Sequence, residues 1–493
     1  MQSTRRLGLV LGPLLFILTL LFVHPAGLSK EANAILASTL WIAVWWITEA
    51  IPIPVTSLLP IVLFPLTGGL DLQRTTAAFA HRLIFLFIGG FIIALAIEKW
   101  NLHKRIALNI INFIGTNMSK IILGFMVATA FLSMWISNTA TAVMMLPIGM
   151  AIIHQMNVNE HTSSETVLFF GKALMISIAY SASIGGVSTL IGTPPNLVLA
   201  GVVQKIYGVE ISFEQWFVFG LPISVVLLII CWQYLVRVAF PMKNRAFPGG
   251  KAEIKRQLKA LGRLTYEEKL VSAVFVFTAL AWITRTFLLK RFLPAIDDTI
   301  IAIAGASVLF LLPAKRNGKA GTKLIDWDTA VKLPWGIILL FGGGLSLAVG
   351  FQKSGLAEWI GGQMILLQGV ALLLLLAVLV AAVNFLTEIT SNVATTSMIL
   401  PILAPMALTI DVHPFALMVG ATVAASCAFM LPVATPPNAI VFGSGYLRIP
   451  DMVRTGIWMN LISIVLVTLA IYFLLPLLWG LDIGSFPVEL QAK

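Results

Sequence analysis

Charge is scarce in this chain: only 11% of its 493 residues are Asp, Glu, Lys or Arg, less than half of the roughly 25% usual in soluble domains. That shortage excludes an ordinary water-soluble globule. The 59% share of hydrophobic residues points instead to an all-α polytopic membrane protein with no large aqueous domain. Cysteine is nearly absent too. Cys231 and Cys427 stand far apart in apolar surroundings, which leaves no disulfide framework and no CxxC metal site. A P-loop signature is missing, so ATP-driven transport has no support, and the lack of HExxH and GxSxG weakens a membrane-embedded enzyme. The formal net charge of +11 could suggest nucleic acid. The basic residues sit in short loops between apolar runs, however, where they set membrane topology, and nucleic-acid binding is rejected.

Walking the apolar runs with the positive-inside rule places Arg5 and Arg6, and hence the N-terminus, in the cytoplasm. The first run, 7–23, has no convincing cleavage site after it and is read as a retained helix. Helices are expected near 33–48, 54–68, 83–99, 216–238, 270–288, 298–313, 333–350 and 455–480. Four longer stretches are interrupted: 119–153 at Ser137-Asn138-Thr139, 167–204 at Gly192-Thr193-Pro194-Pro195-Asn196, 367–408 at Ser391-Asn392-Val393, and 414–446 at Ala434-Thr435-Pro436-Pro437-Asn438. If the two Ser-Asn stretches enter and leave on one side, the chain makes about 11 crossings and its C-terminus falls outside. Counting those stretches as full spans leaves the same parity. The basic segment 240–269, with Lys243, Arg245 and Lys251 among others, reads as a solvated cytoplasmic connector, and Arg316 and Lys319 mark another inside loop. The expected divisions are an N-terminal helix over 1–32, repeats over 33–239 and 270–480, the connector 240–269, and a C-terminal tail over 481–493.

The repeat is explicit. Ser137 to Ile148 matches Ser391 to Ile402 at eight of twelve positions, Thr193-Pro194-Pro195-Asn196 recurs as Thr435-Pro436-Pro437-Asn438, and Phe87-Ile88-Gly89-Gly90 is echoed by Leu340-Phe341-Gly342-Gly343. Each half holds an odd number of crossings, so the second copy is inverted. Inverted repeats with interrupted helices in matching places are the sequence pointer to a secondary transporter and its binding site.

Unwound backbone at membrane depth survives only where protein or a wet cavity satisfies it. The paired prolines force such unwinding, because proline lacks the amide donor and clashes with the preceding turn. Each break frees carbonyls on one side and opens a helix N-terminus on the other. Carbonyls and hydroxyls suit a hard cation such as Na⁺, whereas N-terminal amides suit an anion. Residues 121–153, 173–204 and 414–447 carry no Asp, Glu, Lys or Arg, and 367–410 carries only Glu388. An anion held among these breaks meets no basic side chain from them, so co-bound cations, polar groups and helix ends must balance it. A neutral or cationic substrate would need no such help, and the residues alone leave that choice open. Glu388 is a candidate proton or cation relay or a structural hydrogen-bonding group; Met134 stands at its place in the first repeat. His154 and His413 flank the Ser-Asn stretches and are read as loop-facing. Trp45, Trp46 and Trp100 are read as interfacial belt residues.

The segment Ala425-Ser426-Cys427-Ala428-Phe429-Met430-Leu431-Pro432-Val433-Ala434-Thr435-Pro436-Pro437-Asn438-Ala439-Ile440-Val441, with the paired Ser-Asn motifs and both Thr-Pro-Pro-Asn breaks, resembles the divalent anion/sodium symporter family of sodium-coupled dicarboxylate, citrate and sulfate transporters. The resemblance implies a homodimer among membrane lipids, each protomer having a scaffold domain and an elevator-type transport domain, with the Ser-Asn motifs at the tips of two re-entrant hairpins. By that similarity one sodium site maps to Ser133, Ser137, Asn138 and Gly192, and a second to Thr387, Thr390, Asn392, Ala434 and Pro436. Substrate carboxylates map to Ser137, Asn138, Thr139, Thr193, Ser391, Asn392 and Thr435. Val393 departs from the expected threonine and removes a hydroxyl from the substrate side.

The resulting expectation is a non-enzymatic cell-membrane protein that imports a small divalent anion with Na⁺. C4-dicarboxylates such as succinate, malate or fumarate come first. Sulfate or citrate symport and sodium-independent dicarboxylate exchange are the alternatives. An ion channel offers no reason for the inverted pairing.

Overall fold

The computed structural model describes residues 2–115, 117–158, 164–242, 250–315 and 322–491; Lys243, Arg245, Arg316 and Lys319 lie outside the described residues. Among the described residues the chain is all-helical, with no β-strand. Nine helices among the described residues are long and apolar enough to cross a membrane, and five further apolar helices are shorter. The polar and proline breaks divide several apolar runs into pieces too short to span as single helices.

At the N-terminus, α1 (Gln2–Phe22) lies along α2 (Lys30–Thr48). Two glycines a turn apart allow the approach. A Cβ on Gly8 would collide with the Thr48 side chain, and one on Gly12 would sit 2.7 Å from Trp41 and 2.8 Å from Trp45. Small residues at this spacing are how membrane helices bring their backbones together, and Trp45 Nε1 closes the contact on the Gly8 carbonyl at 2.9 Å. Trp46 corrects the belt assignment: it is fully buried and donates to Ser57 Oγ at 3.2 Å. The run expected as one helix over 54–68 is split into Ile53–Thr56 and α3 (Leu59–Thr67), since Pro60 has no amide to offer the Thr56 carbonyl.

The first repeat continues through α4 (Arg82–Lys99), α5 (Leu102–Ile114), α6 (Met118–Ser133), α7 (Asn138–Val158), α8 (Ser164–Val187), α9 (Pro194–Tyr207) and α10 (Phe213–Tyr234). The connector contains α11 (Gly250–Ala260), and here the expectation of a solvated segment is corrected. Ile254 is fully buried, Glu253 is buried beside it, and α11 lies against α5 and α7. Its basic residues mask a helix with one apolar face. Arg105 of α5 fastens the following turn, reaching Glu268 at 2.8 Å and the carbonyls of Gly262 and Leu261 at 3.1 and 3.2 Å.

The second repeat runs through α12 (Tyr266–Thr284), α13 (Asp298–Leu311), α14 (Trp335–Ser354), α15 (Leu356–Gln363), α16 (Leu372–Leu386), α17 (Asn392–Thr409), α18 (Pro414–Ala425), α19 (Pro436–Phe442) and α20 (Ile449–Leu469). The order helix, Ser-Asn break, helix, helix, Pro-Pro break, helix thus occurs twice. The two copies interlock: α9 lies against α17, and α19 lies against α7. Each proline-led helix therefore packs on the Ser-Asn helix of the other repeat, and this exchange brings all four breaks to one place.

Candidate functional site

Four helices begin at the breaks: α7 at Asn138, α9 at Pro194, α17 at Asn392 and α19 at Pro436. Their first residues line one cavity of about 660 Å³, whose wall includes Ser137, Asn138, Thr139, Thr193, Ser391, Asn392 and Thr435. All seven residues expected to meet substrate are thereby brought together. Val393 lines the same wall.

Behind each Ser-Asn motif sits a matching polar knot. In the first repeat, one arm of the Asn138 carboxamide lies 2.7 Å from Ser133 Oγ, 3.2 Å from the Ala182 carbonyl and 3.3 Å from the Gly192 carbonyl. All three partners are oxygens, and Ser133 Oγ itself donates to Ala182 O at 2.7 Å. An amide nitrogen facing them satisfies the set without a metal. The amide oxygen turned to the same place completes a ring of oxygens of the kind that holds a hard cation. In the second repeat, Thr387 Oγ1 donates to Asn392 Oδ1 at 2.7 Å and to the Ala425 carbonyl at 3.0 Å. Thr387 and Asn392 stand at the same 254-residue offset from Ser133 and Asn138 that relates the two motifs. Thr390 Oγ1 lies 2.5 Å from Thr395 Oγ1. Ser133 and Thr387 are fully buried, whereas Thr390, Ala434 and Pro436 reach the cavity wall.

The Pro-Pro breaks are held by residues that the motif reading passed over. Asn196 Nδ2 donates to the carbonyls of Thr189, Gly186 and Val187 at 2.8, 3.3 and 3.4 Å. Asn438 Nδ2 does the same for Leu431 and Ala428 at 3.0 and 3.4 Å. Both amides return partners to carbonyls freed by the unwinding. The asparagine closing each Thr-Pro-Pro-Asn motif was the available signal.

The copies differ in length. Helix resumes after 188–193 in the first repeat and after 426–435 in the second. Glu388 braces the longer gap. Its carboxylate, 3% exposed, accepts from the amides of Phe429, Met430 and Leu431 at 2.8, 2.9 and 2.9 Å and from Asn460 Nδ2 at 2.7 Å. Asn384 Nδ2 on the Cys427 carbonyl (2.7 Å) and Tyr180 Oη on the Phe429 carbonyl (2.7 Å) complete the bracing. His413 is buried and caps α18, its Nδ1 accepting from Phe415 N at 3.1 Å; the loop-facing assignment is corrected for it, while His154 is exposed. Cys231 and Cys427 are free and buried.

Residues 3–480 match the sodium:sulfate symporter transmembrane region. The chain belongs to the sodium:sulfate symporter family. Two curated relatives are named sodium-dependent dicarboxylate transporter SdcS. The protein from Staphylococcus saprophyticus is 50% identical over 488 residues, 98% of this chain and 94% of the relative. That from a bovine strain of Staphylococcus aureus is 51% identical over 489 residues, again 98% and 94%. A solved structure of MtrF from Neisseria gonorrhoeae, titled as illuminating a class of antimetabolite efflux pumps, is similar with a TM-score of 0.59 at 15% identity. It covers 85% of this chain and 87% of that one, and at that identity the likeness concerns the fold alone. For this member of the sodium:sulfate symporter family, the oxygen sets at Asn138 and Asn392 and the absence of lysine and arginine from 121–153, 173–204, 367–410 and 414–447 fit co-transport of sodium with an anion.

Proposed function

We propose that the chain couples inward movement of sodium ions to import of a C4-dicarboxylate. The observation that carries this reading is the convergence of four helix N-termini on one cavity. Each N-terminus turns the positive end of its dipole toward the cavity, although α9 and α19 open on Pro-Pro and offer no amide from those two residues. The hydroxyls of Thr139, Thr193, Ser391 and Thr435 and the carboxamides of Asn138 and Asn392 supply directional bonds to two carboxylates. Sodium travels as co-substrate in the oxygen sets behind the motifs: Ser133, Ser137, Asn138 and Gly192 in one, Thr387, Thr390, Asn392, Ala434 and Pro436 in the other. The printed names of the 50–51% identical relatives support dicarboxylate as the anion.

The same reading takes the Ser-Asn hairpins as re-entrant, the repeats over 33–239 and 270–480 as inverted about the connector, and the whole as about 11 crossings. The N-terminus then lies in the cytoplasm and the C-terminus outside. The transport domain moves as an elevator against a scaffold that dimerises. The test is uptake of labelled succinate into proteoliposomes. Uptake is expected to require a sodium gradient and to be competed by malate and fumarate more strongly than by citrate or sulfate. Equal uptake when K⁺ or choline replaces Na⁺ would overturn symport.

Val393 is the place where selectivity is tuned. Val393→Thr adds a hydroxyl to the cavity wall, and one hydrogen bond of about 1 kcal/mol corresponds to a change of about fivefold. The ratio of KM for succinate to KM for citrate is expected to shift by that factor without a change in melting temperature. Identical ratios in both proteins would remove the assignment.

A further inference from the structure

The helix α1 belongs to neither repeat, yet it reaches the shared cavity. Gly8 and Gly12 seat it on Trp41, Trp45 and Thr48 of α2, and this contact places its first turn at the cavity mouth, where Thr4 and Arg5 join the lining. Among the described lining residues Arg5 is the only lysine or arginine, and Glu49 is the only acid. The two face each other, Arg5 Nη2 lying 3.2 Å from Glu49 Oε2, and both side chains are half exposed. Glu49 ends α2 in the left-handed region, with φ 47° and ψ 42°. A residue with a Cβ pays about 1 kcal/mol or more for that conformation, where glycine or asparagine is the cheaper choice. A carboxylate thus occupies a strained helix end at the rim of a cavity whose interior is built for carboxylates.

We propose that Arg5 is an anion-docking group at the mouth of the transport cavity and that Glu49 is its resident substitute ligand. A dicarboxylate moving between the four helix N-termini and the aqueous phase exchanges with the Glu49 carboxylate for the Arg5 guanidinium. The fork of the guanidinium matches either carboxylate. Glu49 keeps the arginine oriented and partly neutralised when no substrate is at the mouth, so that Arg5 attracts the anion without trapping it. The inference rests on the anion-transport reading and on the cytoplasmic placement of the N-terminal face, and it predicts an effect confined to that face.

The experiment compares sodium-linked succinate transport in right-side-out and inside-out membrane vesicles. For Arg5→Gln, the ratio of KM at the cytoplasmic face to KM at the outer face is expected to rise about fivefold. The relation of tenfold per 1.4 kcal/mol converts this to about 1 kcal/mol. Glu49→Gln, which leaves the arginine in place and removes its competitor, is expected to lower the same ratio about two- to fivefold, and Arg5→Lys, which keeps the charge and loses the fork, to raise it by less than Arg5→Gln does. A ratio unchanged in both glutamine variants would overturn the proposal. So would parallel changes at the two faces, which mark the pair as a mere fastening between α1 and α2. Should Arg5→Gln fail to insert, the Glu49→Gln ratio decides alone. Absence of sodium-linked succinate transport by the unsubstituted protein from either face would overturn the functional reading and this inference with it.

Discussion

Alanine at Asn138 or at Asn392 is expected to abolish sodium-driven succinate uptake. Each carboxamide stands both at the cavity wall and in an oxygen set, so in the proposed mechanism one substitution removes a substrate contact and a cation ligand together. Losing two to three hydrogen bonds at about 1 kcal/mol each lowers transport by about a hundredfold. The loss of the sodium contact adds to that. The two variants should behave alike, because Ser133 with Asn138 and Thr387 with Asn392 are equivalent pairs in the two repeats. Uptake and sodium-dependent thermal stabilisation in detergent measure the effect. Wild-type uptake by both variants would remove the site from these residues.

Glu388 carries the second large effect. Replacing it by alanine strands the amides of Met430 and Leu431, leaves Phe429 N with only Asn460 Oδ1 at 3.1 Å, and frees Asn460 Nδ2. Each buried donor without a partner costs about 1–3 kcal/mol, so a loss of several kcal/mol and a lowered melting temperature are expected, with uptake lost. Glu388→Gln keeps an acceptor oxygen but turns an amide nitrogen toward backbone donors, and should fall between alanine and wild type. The ordering wild type, glutamine, alanine in melting temperature is the readout. An alanine variant as stable and active as wild type would show that the 426–435 segment needs no brace. Had Glu388 been a proton relay alone, glutamine and alanine would impair transport equally while leaving the melting temperature untouched.

The position of the site could be read along the chain because its marks are local. Ser-Asn and Thr-Pro-Pro-Asn interrupt apolar runs that carry almost no charge, and each repeats at a fixed order. What brings them into one cavity is the exchange of α9 and α19 between repeats, a relation across hundreds of residues that no local pattern announces. Glu388 was visible as a lone acid, but its three backbone partners lie 41 to 43 residues away on unwound chain, and backbone amides have no sequence signature. Charge misled in the connector, where lysines and arginines hid the apolar face of α11. Side-chain type misled at Trp46, whose indole fills a buried contact with Ser57 instead of an interface. Gly8 and Gly12 were present as small residues in an apolar run, yet their meaning appears only against Trp41, Trp45 and Thr48.

In the proposed mechanism the positive pole offered to the substrate is made largely of peptide dipoles at the starts of α7, α9, α17 and α19, and no side-chain truncation can delete a peptide dipole. An alanine scan of the cavity will accordingly register the residues that aim and discriminate, while the attraction for negative charge itself persists in nearly every variant. Selectivity among anions can therefore drift by single substitutions in the wall without the lineage ever losing its grip on anions as a class. Abandoning that class would require re-laying the helix starts themselves.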